Sequence, residues 1–347
     1  MTSCPPLSDL PHGPLMIDIA GHALTPLERE RLCHPLVGGI ILFSRNYQDR
    51  AQLTALCAEI HALRSPPLLI AVDHEGGRVQ RFRTGFTPLP AMRRLGQYYD
   101  HAPQDALAVA RAAGFILAAE LRACGVDYSF TPVLDLDYGP SRVIGDRALH
   151  RDPDVVIALA AALGEGLRAG GMGTCGKHYP GHGYVIPDSH IELPVDARSL
   201  EAMEEDLRPY RALTQTAALD AVMAAHVIYS CIDCHTAVFS RRWLDYLRQD
   251  LKFQGVIFTD DLSMAGAGVV GNMLARVEAA WAAGCDMLLV CNTPESVGEV
   301  LATWQPTPDP ARAQRVARLL PPETCRYPDP HTYREALAML AELPTAG

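Results

Sequence analysis

The stretch GKHYPGHGYVIPDSH at residues 176–190 concentrates side chains that can carry chemistry. It places three histidines, a lysine and an aspartate among three glycines and two prolines. Asp188 and His190 stand two residues apart, so the carboxylate can accept a hydrogen bond from one imidazole nitrogen and leave the other to exchange a proton with a substrate. A solvated turn would have the same composition, so the interpretation depends on what else the chain places beside this loop.

A second candidate is Asp260, which directly follows the apolar run at residues 256–259. A carboxylate at the end of a buried strand is partly desolvated and rigidly held, which suits a nucleophile. Asp261 is the candidate for the alternative role of capping the following turn.

A metal site is the competing interpretation of the histidines at 178, 182, 190 and 226, because zinc sites use histidine triplets with a water. No HExxH motif is present, and Lys177 would add positive charge beside His178. The run Cys231-Ile-Asp-Cys-His235 matches a haem-attachment pattern, but such attachment occurs outside the cytoplasm. We therefore predict neither a metal nor a cofactor.

Short apolar runs alternate with longer amphipathic segments along the chain, which is typical of strands buried on both faces and the helices between them. We predict Thr25 as an N-cap with Pro26 at N1, Ser199 as a second N-cap, and a helix stop at Gly125. The predicted strands occupy 14–21, 37–43, 67–73, 126–136, 172–178, 221–229, 255–261 and 286–292. The predicted helices occupy 25–32, 49–64, 104–125, 152–171, 199–213, 240–252, 276–285 and 294–304.

Eight strand–helix repeats predict an α/β protein with a single closed (β/α)8 barrel. A doubly wound sheet is the alternative, but no GxGxxG directly follows a predicted strand. We predict that residues 1–305 form the barrel and that residues 306–347 form a helical extension packed on it.

Polar residues cluster where the predicted strands end, and in a barrel these ends share one face that carries the catalytic groups. The opposite ends of the predicted strands show no comparable cluster of polar residues. The strand-end candidates are Asp18, the segment 73–81, Asp135, Asp137, Arg142, Asp146, Arg147, Lys177, His178, His226, Asp260 and Asp261.

Composition limits the class of protein. The 347 residues are 48% hydrophobic and 20% charged, with a net charge of −10, which argues against binding to nucleic acid. The N-terminus has no signal-peptide pattern, and no apolar run approaches the ~18 residues of a membrane helix. We expect a soluble, cytoplasmic monomer that acts on a small molecule and keeps most of its ten cysteines reduced and buried.

Four stretches together resemble glycoside hydrolase family 3, and more closely its single-domain cytoplasmic β-N-acetylglucosaminidase branch in Gram-negative cell-wall recycling. They span most of the predicted barrel in the family's order, although Tyr179 stands where phenylalanine is common. The stretches are AVDHEGGRVQRF (71–82), SRVIGDRALHRDP (141–153), GKHYPGHGYVIPDSH (176–190) and GVIFTDDLSM (255–264).

The resemblance implies a role for each matching residue. Asp260 would be the nucleophile that forms a covalent glycosyl-enzyme, and His190 would be the general acid/base, oriented by Asp188. An imidazole with an ordinary pKa of about 6.5 can serve as acid and then base near neutral pH. The residues implied to hold the terminal sugar are Asp73, Arg81, Arg147, Lys177 and His178.

The expected activity is that of a retaining exo-β-N-acetylglucosaminidase acting on N-acetylglucosamine linked to anhydro-muramoyl peptides. Gly181 and Gly183 would let the loop swing, so that His190 arrives with substrate. Three alternatives stay open: a zinc-dependent amidohydrolase on a barrel, a non-catalytic sugar-sensing barrel, and a family 3 β-glucosidase.

Overall fold

A computed structural model describes residues 12–187, 193–321 and 329–344, in which short strands alternate with helices. The strands are β1 (Leu15–Ile17), β2 (Val37–Leu42), β3 (Leu69–Val72), β4 (His74–Gly76), β5 (Val79–Gln80), β6 (Tyr128–Ser129), β7 (Cys175–Tyr179), β8 (Val195–Asp196), β9 (Ala221–Ala224), β10 (Ile228–Tyr229), β11 (Val256–Thr259) and β12 (Leu288–Val290). The helices are α1 (Pro26–Leu32), α2 (Arg50–His61), α3 (Arg93–Tyr99), α4 (Pro103–Ala123), α5 (Pro153–Ala169), α6 (Glu204–Gln215), α7 (Arg241–Asp245), α8 (Met273–Ala283), α9 (Pro294–Thr303), α10 (Pro310–Ala317) and α11 (Pro330–Ala341).

The main strands form two parallel sheets, one with the order β12-β1-β2-β3-β6 and one with the order β11-β9-β7. Single parallel bridges at Val133–Lys177 and Phe258–Met287 connect them. The predicted α/β alternation is confirmed, but the described strands do not form one continuous closed ladder. The junction between β6 and β7 lies at Pro132, whose carbonyl accepts from Lys177 N at 3.2 Å. Hydrogen bonds still cross this junction, from Cys175 N to Thr131 O at 2.7 Å and from Leu134 N to Lys177 O at 2.7 Å.

Both faces of these strands are buried, as their continuous apolar sequences predict. One face belongs to the large cluster that includes the helices, for example Ile40, Ile70 and Val222. The other face joins alternate residues from every one of the main parallel strands in a single buried cluster. These residues include Met16, Ile41, Ala71, Tyr128, Cys175, Met223, Phe258 and Leu289.

Local capping signals predict some helix ends well. Thr25 and Glu28 form a capping box with Pro26 in the first turn of α1, as predicted. Gly125 has φ +86° and follows the end of α4, which agrees with the predicted stop. The Ser199 prediction is wrong, because α6 begins at Glu204 and Ser199 Oγ instead accepts from Ala202 N in the preceding turn.

The C-terminal helices dock on the rest of the molecule. Val316 of α10 and the nearby Leu319 enter the cluster on the strands' second face. Helix α11 packs against α4, and Tyr333 Oη donates a 2.6 Å hydrogen bond to the buried Glu120. The division at residue 305 stays a prediction.

Two further properties concern the described residues as a whole. Six of the cysteines there are buried and two are exposed. No helix in the described ranges has the length and apolar character needed to cross a lipid bilayer.

Candidate active site

A cavity of about 450 Å3 lies where the carboxyl ends of β3, β7 and β11 meet. Its volume is within the range of small-molecule sites. Its lining includes Asp73, which directly follows β3, Lys177 and His178 of β7, and Asp260, which directly follows β11. The strand-end clustering inferred from the sequence therefore corresponds to one concave surface.

Glu75 lies at the centre of a buried charge network on the wall of this cavity. Its carboxylate accepts two hydrogen bonds from Arg147, at 2.8 Å from Nε and 2.8 Å from Nη2. Lys177 Nζ lies 2.5 Å from Glu75 Oε1 and 2.9 Å from Asp73 Oδ1. Arg81 Nη2 approaches Asp73 Oδ2 at 3.4 Å. Two carboxylates thus fix three cationic side chains of the cavity lining.

The network keeps Asp73, Glu75, Arg147 and Lys177 charged at neutral pH. Burial alone would raise the pKa of Glu75, but attraction from Arg147 and Lys177 outweighs it and lowers that pKa to about 2. Burial likewise opposes the ionisation of Asp73, yet Lys177 and Arg81 hold its pKa well below the ordinary value. The same carboxylates raise the pKa values of Lys177 and Arg147 against the effect of burial. The cavity wall therefore offers charged hydrogen-bond donors whose positions are set before any ligand arrives.

Asp135 orients the histidines beside this network. Its Oδ2 lies 2.7 Å from His178 Nδ1, and its Oδ1 accepts from the backbone N–H groups of His178 and His182 at 3.1 and 2.7 Å. Because an ionised carboxylate only accepts, Nδ1 of His178 carries the hydrogen. His178 Nε2 then faces Arg147 Nη2 at 3.4 Å. His178 is thereby held in one ring orientation at the cavity.

Asp260 and Asp261 are adjacent but have different surroundings. Asp260 N donates to Ala224 O at 3.2 Å, and Asp260 Oδ1 accepts from Asp261 N at 2.8 Å. Asp261 accepts from the backbone N and the Oγ of Ser263 at 2.9 and 2.7 Å, so it caps the turn as the sequence suggested. Burial raises the pKa of Asp261 to about 6. Both aspartates line the cavity.

Three of the four histidines that the metal interpretation grouped together lie among the described residues, and their surroundings differ. Burial lowers the pKa of His182 to about 4, so this ring is neutral at pH 7. His226 is fully buried outside the cavity lining, with Nε2 3.0 Å from Asp261 O, because β9 ends at Ala224 and not at His226. Among the described residues, His178, His182 and His226 do not form a three-ligand group.

Gly181 and Gly183 have a packing reason of their own. A Cβ at Gly183 would lie 1.9 Å from Leu136 O, and one at Gly181, where φ is +141°, would lie 2.8 Å from Asp206 Cβ. Close approach of neighbouring chain therefore requires glycine at both positions. The hypothesis that they act as hinges stays a prediction.

Six of the predicted site residues line the cavity together: Asp73, Arg81, Arg147, Lys177, His178 and Asp260. Asp188 and His190 lie outside the described residues. Sequence reasoning gave no role to Glu75 and did not connect Asp135 with His178. A usable signal for Glu75 was its place two residues after Asp73, within the same polar strand end.

The unusual Tyr179 is accommodated locally. Its hydroxyl donates to Trp243 O at 3.1 Å, and its ring packs edge-on against Tyr210 and Trp243. The extra oxygen relative to phenylalanine therefore has a hydrogen-bond partner.

Comparison with known proteins relates this geometry to a family. Residues 16–320 match the model of the glycosyl hydrolase family 3 N-terminal domain. A β-hexosaminidase of Bordetella avium is 58% identical over 315 residues, which cover 90% of this chain and 89% of that protein. The crystal structure of NagZ from Neisseria gonorrhoeae in complex with N-trifluoroacetyl-D-glucosamine superposes with a TM-score of 0.89 at 46% identity, and the match covers 96% of this chain and 98% of that one. A structure of the same gonococcal protein in complex with a zinc ion also has a TM-score of 0.89 at 46% identity, and the match covers 97% and 99% of the two chains.

Proposed function

Because the chain belongs to glycosyl hydrolase family 3 and is a glycoside hydrolase of the β-hexosaminidase type, we propose that it is a retaining exo-β-N-acetylglucosaminidase. Its substrates are peptidoglycan fragments in which a terminal, non-reducing N-acetylglucosamine is β-1,4-linked to an anhydro-muramoyl peptide. The reaction belongs to cell-wall recycling.

The observation that carries this proposal is the position of Asp260. Its carboxylate lies in the lining of one cavity with the fixed donors Arg81, Arg147 and Lys177. Donors anchored by buried carboxylates suit the hydroxyl groups of a sugar, since they need no reorganisation when a ligand binds. The gonococcal relative bound to an N-acylated glucosamine supports an amino sugar as the ligand.

The proposed chemistry has two steps. The Asp260 carboxylate attacks C1 of the sugar while the bond from C1 to the leaving oxygen breaks, and His190 gives that oxygen its proton. His190 then takes a proton from water, whose oxygen attacks C1 and releases Asp260 as a carboxylate. Two displacements at C1 retain the β configuration. Asp188 keeps the imidazole of His190 oriented through both steps.

A histidine in the acid/base role changes the electrostatics of the site. Most retaining glycosidases pair two carboxylates about 5–5.5 Å apart, so one of them needs a raised pKa. An imidazole places no second negative charge beside Asp260. It also titrates near neutral pH without a raised pKa.

For the frame of this chemistry we infer a single eight-stranded barrel, supported by the two bridges between the sheets and by the cluster that all the main strands share. Residues 1–305 form it, with residues 306–347 as an appended helical segment. The protein acts as a cytoplasmic monomer without a cofactor, nucleic-acid partner or membrane contact.

The deciding experiment measures hydrolysis of the p-nitrophenyl β-glycosides of N-acetylglucosamine and of glucose, each with and without chelator. We expect release from the acetylated sugar only, unchanged by chelator. Cleavage of the glucoside alone would favour a β-glucosidase. Loss of activity in chelator would favour a zinc hydrolase, and binding of N-acetylglucosamine without hydrolysis would favour a sugar sensor.

A further inference from the structure

The turn that follows β10 carries a compact group of a carboxylate, a thiol and an imidazole away from the cavity. Asp233, Cys234 and His235 each offer one ligand atom, and these atoms all lie within 4.8 Å of one another. The side chain of His235 is 59% exposed and Cys234 is exposed, so the group is open to solvent. None of the three residues lines the cavity that contains Asp260.

The two spacings that involve His235 match the edges of a coordination tetrahedron, and the third pair, Asp233 and Cys234, lies within 4.8 Å. Cys234 Sγ lies 3.6 Å from His235 Nδ1, and His235 Nδ1 lies 3.0 Å from Asp233 Oδ1. Bond lengths to Zn2+ of about 2.3 Å for sulfur and about 2.0–2.1 Å for nitrogen and oxygen give tetrahedral edges of ~3.6 Å and ~3.3 Å for these pairs. An ion therefore fits without a large movement of the side chains.

The backbone fixes this arrangement in advance. The turn is closed at its base by an antiparallel bridge between Ile228 and the fully buried Thr236. Within it, the N–H groups of Ile232 and Asp233 both donate to Tyr229 O, at 2.8 and 3.0 Å. The ligands thus do not have to be gathered from a disordered chain, which reduces the entropic cost of binding.

A hydrogen bond from Ser240 also orients the Asp233 carboxylate. Ser240 Oγ donates to Asp233 Oδ2 at 2.5 Å and leaves Oδ1 directed to the imidazole. Outer partners of this kind commonly orient the ligands of metal sites.

We propose that Asp233, Cys234 and His235 form a binding site for a zinc-class divalent cation, with water as the fourth ligand. Thiolate, imidazole and carboxylate together are a zinc donor set, and they exclude the hard ions Mg2+ and Ca2+. Binding through Nδ1 requires the His235 tautomer that carries its hydrogen on Nε2, and it releases the proton of the Cys234 thiol to solvent. The affinity therefore rises with pH.

Cys231 supplies a matched control on the same turn. It is also an exposed thiol three residues before Cys234, but its Sγ donates to Ala197 O at 3.0 Å and it is not part of the three-atom group. Substituting the two cysteines one at a time thus shows whether metal binding requires the Cys234 thiol or any exposed thiol.

The test uses the full chain, reduced with a phosphine that does not bind metal, and titrates it with Co2+ and then Zn2+. We expect one Co2+ with a thiolate-to-cobalt charge-transfer band that Zn2+ abolishes. Cys234→Ser should remove the band, and Asp233→Asn and His235→Ala should weaken Zn2+ binding by at least the roughly 10–100-fold typical of losing an outer partner. Cys231→Ser should keep both the band and the affinity.

Three outcomes would overturn the proposal. A charge-transfer band unchanged in Cys234→Ser would place the metal at another thiol, and zinc affinity unchanged in all three ligand variants would place it elsewhere in the protein. Loss of binding in Cys231→Ser equal to that in Cys234→Ser would mean a two-cysteine site in place of the proposed triad. Circular dichroism of each variant checks that the fold is retained.

Discussion

Glu75 shows how much of the site depends on a single buried residue. It is 1% exposed and compensates two cations, the buried Lys177 and Arg147, whose side chain is 10% exposed. Removing one partner from such a network leaves uncompensated charge in a poorly solvated place, which costs several kcal/mol, about 3–5 in measured cases. Its importance is therefore structural and electrostatic even though it carries no step of the proposed chemistry.

The dependence of the free energy of unfolding on pH in the acidic range provides a test of this role. The pKa of Glu75 falls from an ordinary 4.5 to about 2 on folding. A lowered pKa in the folded state means that the contribution is complete above the unfolded pKa and disappears as pH falls through the folded pKa. Denaturant unfolding of Glu75→Gln should show a deficit on the order of 3 kcal/mol at neutral pH that shrinks between about pH 4.5 and 2.

Glu165→Gln is the matched control, because Glu165 forms an exposed pair with Arg111. Exposed pairs contribute about 0–1 kcal/mol, so this variant should stay close to the parent at every pH. A Glu75→Gln deficit that does not change with pH would contradict the electrostatic account.

The nucleophile assignment has its own test at the residue scale. Asp260→Ala cannot form a covalent intermediate, so turnover should fall by on the order of 10⁴-fold or more. Added azide should then yield the α-glycosyl azide from a substrate with a good leaving group, since it attacks from the side that Asp260 vacates. Substantial activity without azide, with a β-configured product, would refute the assignment.

The acid/base assignment predicts a dependence on the leaving group. General acid catalysis contributes about 10²–10⁴-fold, and least where the leaving group departs without a proton. His190→Ala should therefore lose far more activity on the proposed disaccharide substrate than on a dinitrophenyl glycoside. Equal losses on both substrates would assign His190 another role.

At the scale of elements, Arg198 connects the two chain segments that flank residues 188–192. Its guanidinium stacks on Tyr184 at 3.9 Å on one side of this segment and donates to Asp196 at 2.7 Å on the other. A further bond at 2.8 Å anchors it to Asp206, close to the beginning of α6. Arg198 therefore ties both ends of the segment that carries Asp188 and His190 to a helix.

We expect Arg198 to act as a positioning residue. Arg198→Ala should lower kcat with little change in KM. The loss of kcat should be larger on the disaccharide than on dinitrophenyl substrates, because a displaced His190 would be a poorer general acid. Arg198→Lys should recover part of the loss, because lysine keeps the charge but lacks the planar, forked donor set. Steady-state kinetics of each variant on the two substrates measures kcat and KM for this test.

Arg151 is the control for this experiment. Its guanidinium likewise stacks on an aromatic ring, 4.2 Å from the ring centre of Tyr138, and it donates to Glu205 at the surface. Among the described contacts, none joins Arg151 to the segments that flank residues 188–192. Arg151→Ala should leave the leaving-group dependence as in the parent. If Arg198→Ala lowers only the melting temperature, with parental kinetics, its role is confined to stability.

At the scale of the whole molecule, the C-terminal segment and the central helices form a joint structure. Glu120 of α4 is 5% exposed and accepts from Thr87 N, Thr87 Oγ and Tyr333 Oη. Residues from three distant parts of the chain thus meet at one carboxylate. The last helix consequently shields a charge that the rest of the fold has buried.

Tyr333→Phe tests this contact. Losing a hydrogen bond to a charged group should lower the free energy of unfolding by about 1–2 kcal/mol. Tyr246→Phe is the control, because its hydroxyl only accepts a 3.4 Å bond from Arg211, and its effect should be within about 0.5 kcal/mol. Equal stability of Tyr333→Phe and the parent in denaturant unfolding would show that this contact does not help to hold α11.

Features set by near neighbours could be predicted from the sequence alone. The capping box joins Thr25 and Glu28, which are three positions apart in the sequence. The buried run before Asp260 places that carboxylate at a strand end. Ser199 failed as a cap, because α6 begins at Glu204 with Met203 at its N-cap and no side-chain capping bond. Local rules therefore located the strands and their polar ends but not every boundary.

The sequence by itself determined the order of strands and helices, and with it the shared edge where Asp73, Lys177 and Asp260 come together, because consecutive parallel strands must place their carboxyl ends on one side. Only the tertiary structure decided the partners within that edge. Glu75 binds Arg147 across 72 residues and Lys177 binds Asp73 across 104, and neither spacing carries a local signal. Such pairs are selected by strand register and by the cost of leaving a buried charge uncompensated, and both are properties of the assembled fold.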